Sequence, residues 1–194
     1  MSMGMEVNTN GLTYESLLLL PDDGKRHEVI GGELYVTPSP ITVHQRFARD
    51  LGYVLHSFVV EHDLGEVFFA PLDVYLSPSD IVQPDLLFIS NSRMGCITDN
   101  YIQGAPDLVV EVISESTRRT DRKIKLRLYE SFDVIEYWLA DPVVQTIEVY
   151  SRNQENRLVR TAEYEETDTL SSDLFPGLVI NVANLWVDRR KNAE

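Results

Sequence analysis

Two apolar runs that both open on Pro-Asp constrain the fold more than any other feature of the chain. They read QPDLLFIS at 83–90 and APDLVVEVISES at 105–116, and apolar runs bounded by turn residues are typical of buried strands. The first run carries Asp85 at its start, and the second carries Glu111 between two valines. An unpaired, buried carboxylate is costly or becomes neutral through a raised pKa. The sequence therefore predicts a positive charge close to Glu111.

The remaining patterns predict a mixed α/β domain with a central sheet. TYESLLL at 13–19 indicates a short helix with Thr13 as its N-cap, and HEVIGGELYV at 27–36 indicates a β-hairpin closed by a Gly-Gly loop. Apolar residues at intervals of three and four predict a long amphipathic helix over 41–62. Further strands are predicted at 65–70, 73–77, 81–90, 106–114, 134–142, 146–152 and 157–164, a helix at 118–132, and a strand followed by a short helix at 175–186.

Length and cysteine content indicate one domain in a reducing compartment. The 194 residues are enough to bury a sizeable core, and the single cysteine, Cys96, excludes an intramolecular disulfide. The N-terminus lacks the basic and then apolar pattern of a signal peptide. No run approaches the roughly 18 apolar residues that span a bilayer. We therefore expect a cytoplasmic protein without a membrane partner.

The charge of the chain is unevenly distributed. Lys and Arg number 17 against 31 Asp and Glu, and the net charge of −14 repels nucleic acid on average. The stretch RRTDRKIKLR at 118–127 nevertheless holds six of the 17 basic residues. One interpretation is a solvated helix face. The other, favoured by the position directly after the Glu111 strand, is a surface that holds the DNA backbone through Arg118, Arg119, Arg122 and Lys123.

Asp85, Glu111 and Lys125 form the candidate catalytic set. Neighbouring strands lie only about 4.8 Å apart, so the two carboxylates can converge on one divalent cation, which prefers oxygen ligands. Lys125 lies four residues before Tyr129 and therefore on the same helix face. There it can hold a water and stabilise charge that develops on a phosphate. Each residue also has an ordinary alternative: Asp85 as a turn residue, Glu111 as the buried partner of an arginine, and Lys125 as a lysine reaching solvent.

Six blocks run in order from about residue 13 to residue 150: RHEVIGGEL, FFAPLDVYLS, VQPDLLFIS, GAPDLVVEVIS, DRKIKLRLYESF and VIEYWLADP. Together they resemble the Uma family of bacterial restriction endonucleases, which belongs to the PD-(D/E)XK superfamily. The resemblance implies a restriction endonuclease-like α/β core over about 13–150, with a mixed central sheet flanked by helices and an N-terminal hairpin. A strand and helix extension over 151–194 would complete a single domain of residues 1–194.

The same resemblance implies a function and its metal. It predicts an endonuclease that hydrolyses phosphodiester bonds in DNA with Mg²⁺ or Mn²⁺, held by Asp85 and Glu111. The superfamily's acid-x-lysine pattern would place a lysine where this chain has Ile113. The Uma-like pattern carries its lysine on the next helix, where Lys125 is the match and Lys123 the competitor. The displaced lysine leaves an alternative function, a catalytically weak or inactive nuclease-fold protein that serves as a binding or assembly module.

Other positions of these blocks either support the metal site or depart from the family pattern. The supporting candidates are Glu28 in the hairpin, His44 and Gln45 on the long helix, Asp73 and Tyr129. Their ordinary alternatives are an exposed hairpin charge for Glu28, a surface or cap residue for His44, and simple packing for Tyr129. The departures are Glu115 and Asp133, where the family has proline and glycine. Because two sites related by a two-fold axis cut both strands of a duplex most simply, we also expect a homodimer.

Overall fold

The computed structural model describes residues 11–187, so the ends of the predicted 1–194 domain lie outside the described residues. Its α-helices are Tyr14–Leu18 (α1), Thr42–Glu61 (α2) and Leu126–Ser131 (α3). The strands are Arg26–Ile30 (β1), Glu33–Thr37 (β2), Gly65–Phe69 (β3), Val74–Ser77 (β4), Asp80–Val82 (β5), Leu86–Ser90 (β6), Ile102–Gln103 (β7), Leu108–Val112 (β8), Glu136–Asp141 (β9), Thr146–Arg152 (β10), Leu158–Tyr164 (β11), Thr169–Leu170 (β12) and Ile180–Asn181 (β13). Each predicted helix and strand has a counterpart in this order, whereas the short strands β7 and β12 and the division between β5 and β6 were not predicted.

The strands form two main sheets of mixed direction. One has six strands in the order β11-β10-β9-β8-β6-β3, with β8 and β9 parallel and the other neighbours antiparallel. The other has five strands in the order β2-β1-β5-β4-β7, and β12 pairs with β13 separately. The predicted central sheet corresponds to the six-stranded one. The predicted N-terminal hairpin, β1 and β2, belongs to the five-stranded sheet, which the sequence did not separate from the first.

Pro84 explains why the run at 81–90 becomes two strands. β5 pairs with β1 and β4 in the five-stranded sheet, whereas β6 pairs with β3 and β8 in the six-stranded sheet. Proline has no N–H to donate to a strand ladder, so it is confined to strand ends and edges. The chain therefore changes sheets at this point. Asp85, the next residue, lies where the two sheets meet.

Helix α2 covers one face of the six-stranded sheet. Phe47, Leu51, Leu55 and Val59 are buried at intervals of four residues, as the amphipathic pattern predicts. They pack in one cluster with Trp138 of β9 and with apolar residues of the C-terminal segment. Among the described residues, no helix has the length and apolar character needed to cross a membrane.

The opposite face of this sheet meets the five-stranded sheet and α3. Side chains alternate along β8: Val110 and Val112 belong to the core under α2, whereas Val109 and Ile113 belong to the second core. Glu111 lies two residues after Val109 and two before Ile113. Because successive strand side chains face opposite sides, Glu111 points to the second core with them. The second core is thus the layer that contains the buried carboxylate.

The pairing of β6 with β8 aligns the two predicted metal ligands. Leu86 lies opposite Val110 in this antiparallel pair. Continuing the register by one residue places Asp85 opposite Glu111 and on the same face of the sheet. Side chains that lie directly opposite each other have their Cβ atoms about 4.5–5.5 Å apart.

Two helical segments differ in detail from the sequence prediction. The helix predicted at 118–132 begins with a π-helical stretch at Thr120–Lys125 and continues as α3. Thr13 occupies the N-cap position of α1 but makes no side-chain capping bond; its hydroxyl donates to Glu15 at 2.7 Å instead. π-Helical turns are rare and occur frequently at functional sites.

Candidate active site

Lys125 lies at the centre of a buried group of carboxylates. Its Nζ is 2.8 Å from Oε1 of Glu28, 2.9 Å from Oε1 of Glu111 and 3.8 Å from Oδ1 of Asp121. Each of these four residues is at most 4% exposed. Tyr129 donates from its hydroxyl to the same Glu111 oxygen at 2.8 Å. The hairpin, β8 and the helical segment thus meet at one ammonium group, which we call the lysine cluster.

Asp85 lies beside the lysine cluster and has its own partners. Nη1 of Arg26 donates to its Oδ1 at 2.6 Å, Nε2 of His44 lies 2.9 Å from its Oδ2, and the backbone N–H of Val112 donates to Oδ2 at 2.8 Å. Burial alone would raise the pKa of Asp85, but the hydrogen bond with His44 and the positive charge of Arg26 outweigh burial and lower the pKa to about 2. Asp85 is therefore ionised at neutral pH.

The carboxylates of the lysine cluster outnumber its cation. Burial raises the pKa of Glu111 to about 8, although the charge of Lys125 opposes this shift. Burial likewise raises the pKa of Asp121 to about 6 against the same charge. For Lys125, burial alone would lower the pKa, but the surrounding carboxylates, Glu111 first, outweigh burial and raise it above its ordinary value. A further positive charge near Glu111 would therefore be favourable.

Gln83 connects Asp73 to the lysine cluster. Its backbone N–H donates to Oε1 of Glu28 at 2.7 Å, and its side-chain Nε2 donates to Oδ1 of Asp73 at 2.8 Å. Asp73 therefore reaches the cluster through Gln83, which fixes the orientation of the Glu28 carboxylate.

The other two supporting candidates lie on the first turn of α2. His44 is 5% exposed, and its Nδ1 is buried without a hydrogen-bond partner among the described residues. Gln45 is exposed to solvent. Both line a pocket of about 470 Å³ along α2, and Asp85 also lines it. This pocket gives access to the Asp85 side of the site.

The basic stretch at 118–127 divides into paired and exposed cations. Nη1 of Arg118 bonds Oδ2 of Asp141, and Nη1 of Arg122 contacts Oε1 of Glu148. In contrast, Arg119, Lys123 and Arg127 are exposed. Two of the four residues predicted to bind nucleic acid are thus tied to acids of β9 and β10.

Sequence reasoning missed two members of the site, Arg26 and Asp121. Arg26 stands two residues before Glu28, and residues two apart on a strand share a face. Asp121 stands four residues before Lys125, the same spacing that linked Lys125 to Tyr129. In both cases the sequence therefore contained a signal: a second charged residue, spaced so that it lies on the same face of the strand or helix as the predicted one.

A family model covers most of the chain. The model of the Uma2 family, described as "Putative restriction endonuclease", matches residues 14–183. The chain belongs to the Uma2 family. Membership in the Uma2 family confirms the resemblance that the six sequence blocks indicated, and it supports a nuclease function.

The fold of this Uma2 chain is found in a solved structure. The crystal structure of "a putative nuclease belonging to DUF820" from Anabaena variabilis ATCC 29413 matches it with a TM-score of 0.74 and 22% sequence identity. The match covers 90% of this chain and 97% of that chain. It confirms the predicted α/β fold with mixed sheets flanked by helices. No curated protein matches the chain.

The residues of the Uma2 site fit a divalent cation by their chemistry. Among residues 11–187, no three His, Cys, Asp or Glu side chains converge as a ready-made metal site. Mg²⁺, however, is usually held by only one or two carboxylates, with waters and substrate phosphates as its other ligands. Asp85 and Glu111 are such a pair on one face of the sheet. The raised pKa of Glu111 is also what a nearby cation would reverse.

Proposed function

We propose that this Uma2 chain is a Mg²⁺- or Mn²⁺-dependent endonuclease that hydrolyses phosphodiester bonds in DNA. One observation carries the proposal. The Nζ of Lys125 lies within 2.9 Å of Glu28 and Glu111, and Asp85 lies opposite Glu111 across the β6–β8 pair. A structural core has little use for three buried acids around one lysine, because desolvating them is expensive. Perturbed, buried titratable groups of this kind concentrate at active sites.

Asp85 and Glu111 are the proposed metal ligands. Asp85 is already ionised because its pKa is about 2, and it offers a hard oxygen ligand at any pH near neutral. A bound divalent cation would supply Lewis acidity at the phosphate and lower the pKa of a nearby water. In the hydrolysis, the water oxygen forms a bond to phosphorus and the bond from phosphorus to the departing sugar oxygen breaks. The attacking water gives up one proton to solvent, and the departing sugar oxygen takes up one proton from solvent.

Lys125 is proposed to act as a cation and donor, not as a base. The carboxylates around it raise its pKa above the ordinary value, so it stays protonated at neutral pH. An ammonium group at this place can orient a water and stabilise negative charge that develops on the phosphate. Glu28 accepts a hydrogen bond from Lys125, and Tyr129 donates one to Glu111. Both contacts are proposed to hold Lys125 and Glu111 in position.

The DNA backbone is proposed to lie along the exposed part of the basic stretch. Arg119 and Lys123 face solvent, and phosphate contacts of this kind supply most of the sequence-independent affinity of DNA-binding proteins. Arg118 and Arg122 would join them only by leaving Asp141 and Glu148. Local positive charge is needed because the whole chain carries −14.

A cleavage assay tests the proposal. Purified protein should cut DNA when Mn²⁺ or Mg²⁺ is present, and Glu111→Gln should abolish the cleavage. Asp107→Asn is the matched control. Asp107 is also a carboxylate next to β8 and is 3% exposed, but it pairs with Arg93 at the opposite end of the strand. Equal activity of wild type and Glu111→Gln would contradict the proposal and indicate a contaminating nuclease.

A specific observation favours the second candidate function, a nuclease-fold module that binds without cutting. Both oxygens of Asp85 are already engaged, Oδ1 by Arg26 and Oδ2 by His44 and the Val112 N–H. Glu111 is likewise engaged by Lys125. If these partners of Asp85 and Glu111 replace a metal permanently, the chain binds no divalent cation and cuts nothing. Metal affinity therefore separates the two functions.

A further inference from the structure

A second pocket, of about 570 Å³, shares His44 as a lining residue with the pocket along α2. Its walls are mainly apolar and include Pro38, Pro40, Ile41, Val43, Pro142 and Val143. Ile41 is 66% exposed and Val143 78% exposed, so large apolar side chains stand uncovered at its mouth. We call it the proline pocket. Exposed apolar surface gathered around a concavity is typical of a ligand site.

The proline pocket is lined by the hydrogen-bond partners of Asp85. Arg26, His44 and Val112 line it, and each of them also contacts the Asp85 carboxylate, at 2.6, 2.9 and 2.8 Å. Val112 is also the residue that follows Glu111. A ligand in this pocket would therefore lie immediately beside the proposed metal site.

The pocket combines a cation with hydroxyl groups and a large apolar surface. The cation is Arg26, which bonds Asp85 beside the proposed metal site. Ser39, Ser114, Ser116, Thr37 and Thr117 bring hydroxyl groups to the lining, and prolines, valines and isoleucines form most of the remaining wall. A ligand that matches has an anionic group at one end and a flat, largely apolar body with polar edges at the other. A nucleotide has this distribution of charge and polarity.

We propose that the proline pocket receives one unpaired nucleobase from the nucleotide next to the scissile phosphate. The preferred substrate class is then DNA with a locally unpaired strand, such as a bulge, a loop or a single strand, and not continuous duplex. A base inside a duplex is stacked and paired, so it reaches a pocket only after it leaves the helix, and an already unpaired base avoids that cost. This inference rests on the proposed nuclease function and adds the form of its substrate.

The walls supply the contacts that such a base needs. Apolar side chains on both faces of an extruded base replace its stacking neighbours, and serine and threonine hydroxyls can donate to or accept from its edges. Glu115 is the sole acidic residue among those that line the pocket. The pocket is therefore far less negative than the chain as a whole, and a nucleotide can enter it without strong repulsion.

Two adjacent valines provide a matched test. Val143 lines the proline pocket, whereas Val144, its neighbour in the same β9–β10 turn and 61% exposed, lines a different concavity. Val143→Asp and Val144→Asp add the same charge to the same turn, so both repel the DNA backbone alike. A difference between the two variants in their preference for unpaired DNA therefore comes from the proline pocket. Thermal unfolding of both variants checks that each remains folded.

Binding to short fluorescein-labelled DNA is measured by anisotropy with the full chain in Ca²⁺, which takes oxygen ligands as Mg²⁺ does. Wild type should bind a duplex with one unpaired nucleotide at least about fivefold more tightly than the fully paired duplex. This factor is the lower end of the affinity that one stacked base contributes. Val143→Asp should remove this preference, and Val144→Asp should keep it. A 2-aminopurine at the unpaired position should change its emission on binding wild type and Val144→Asp, but not on binding Val143→Asp.

Three results would overturn the inference. Equal affinity of wild type for paired and unpaired DNA would show that no base enters, including the case in which the chain's own terminal residues cover the pocket. Equal loss of preference in both valine variants would show that charge alone decides. If the chain shows either of these results but still cuts both DNAs in Mn²⁺, the nuclease function stands and only the assignment of the pocket fails. If no DNA is bound or cut, the nuclease function and the assignment of the pocket both fail.

Discussion

Lys125 allows Glu111 to be placed inside a strand. A carboxyl group in the core is tolerated when a nearby cation and further hydrogen bonds satisfy it, and Glu111 has the Lys125 ammonium group and the Tyr129 hydroxyl within 2.9 Å. The same lysine also satisfies Glu28 at 2.8 Å. At the residue scale, therefore, the stability of the site and its chemistry depend on one side chain.

Replacing Lys125 by methionine should destabilise the protein strongly. Methionine has a similar length but no charge, so Glu28 and Glu111 would be left buried without their cation, at a cost of about 3–5 kcal/mol. Urea unfolding measures the loss. Lys123→Met, two residues away and exposed, should change the free energy of unfolding by less than about 0.5 kcal/mol. Equal effects of the two substitutions would contradict the central place given to Lys125.

The candidate site could be predicted only partly from its residues. Lys125 was identified through its spacing to Tyr129, because helical periodicity is visible in the sequence. Asp85 and Glu111 were identified because carboxylates beside or within apolar runs are conspicuous. His44 was named only through the family resemblance and Arg26 was missed, since their contacts with Asp85 depend on how the hairpin and α2 pack around one point. Long-range packing of this kind leaves no local pattern.

At the scale of elements, the helical segment that carries Lys125 is fixed to the sheet by ion pairs. Asp141, at the end of β9, accepts a hydrogen bond from Arg118 and another from the Val143 N–H. Arg122 lies 3.7 Å from the same carboxylate. These contacts join the start of the π-helical stretch to the β9–β10 turn, which also forms a wall of the proline pocket.

Asp141→Asn should destabilise the protein at neutral pH by about 1–2 kcal/mol, because the part-buried hydrogen bond from Arg118 loses the negative charge of its acceptor. Burial alone would raise the pKa of Asp141, but the bond from Arg118 outweighs it and lowers the pKa below the ordinary 3.8. The contribution of Asp141 is therefore complete above pH 3.8 and is lost as the pH falls through the lower folded value. Urea unfolding of wild type and variant should give a difference that shrinks as the pH is lowered from 7 towards 3.

A constant difference across this pH range would show that the Asp141 charge contributes nothing. Asp133→Asn serves as the control, since the Asp133 side chain is 77% exposed and lies 3.7 Å from Arg152. Its effect at pH 7 should be within about 0.5 kcal/mol of zero.

The elements themselves were largely predictable, and their assembly was not. Periodicity gave α2 and most strands, since apolar spacing follows the local conformation. The division of 81–90 into β5 and β6 was missed, although Pro84 was visible, because both halves are apolar. The π-helical start of the segment before α3 was missed as well. π-Helical turns are rare, so a helical spacing of apolar residues predicts an α-helix by default.

At the scale of the whole molecule, the site lies where two sheets and α2 meet. The apolar cluster under α2 also includes Phe175 and Trp186, so the C-terminal segment packs on the same core as the helix. We propose on this basis that the chain forms one domain, as its length indicates. The molecule is strongly acidic at −14, and its affinity for DNA should therefore depend on a few local cations and fall steeply with salt.

We propose that the chain forms a homodimer, because two-fold symmetric dimers are by far the commonest oligomers of soluble proteins. Light scattering coupled to size-exclusion chromatography should give twice the 22.2 kDa mass of one chain. A monomer mass both alone and with bound DNA would exclude a symmetric dimer as the cutting unit.

Calorimetric titration with Mn²⁺ tests the central claim most directly, since it does not depend on finding the right DNA. Wild type should bind one Mn²⁺ per chain, and both Asp85→Asn and Glu111→Gln should lose this binding while Asp107→Asn retains it. Absence of binding to wild type, or undiminished binding to the Asp85 and Glu111 variants, would show that these two carboxylates do not hold a cation together.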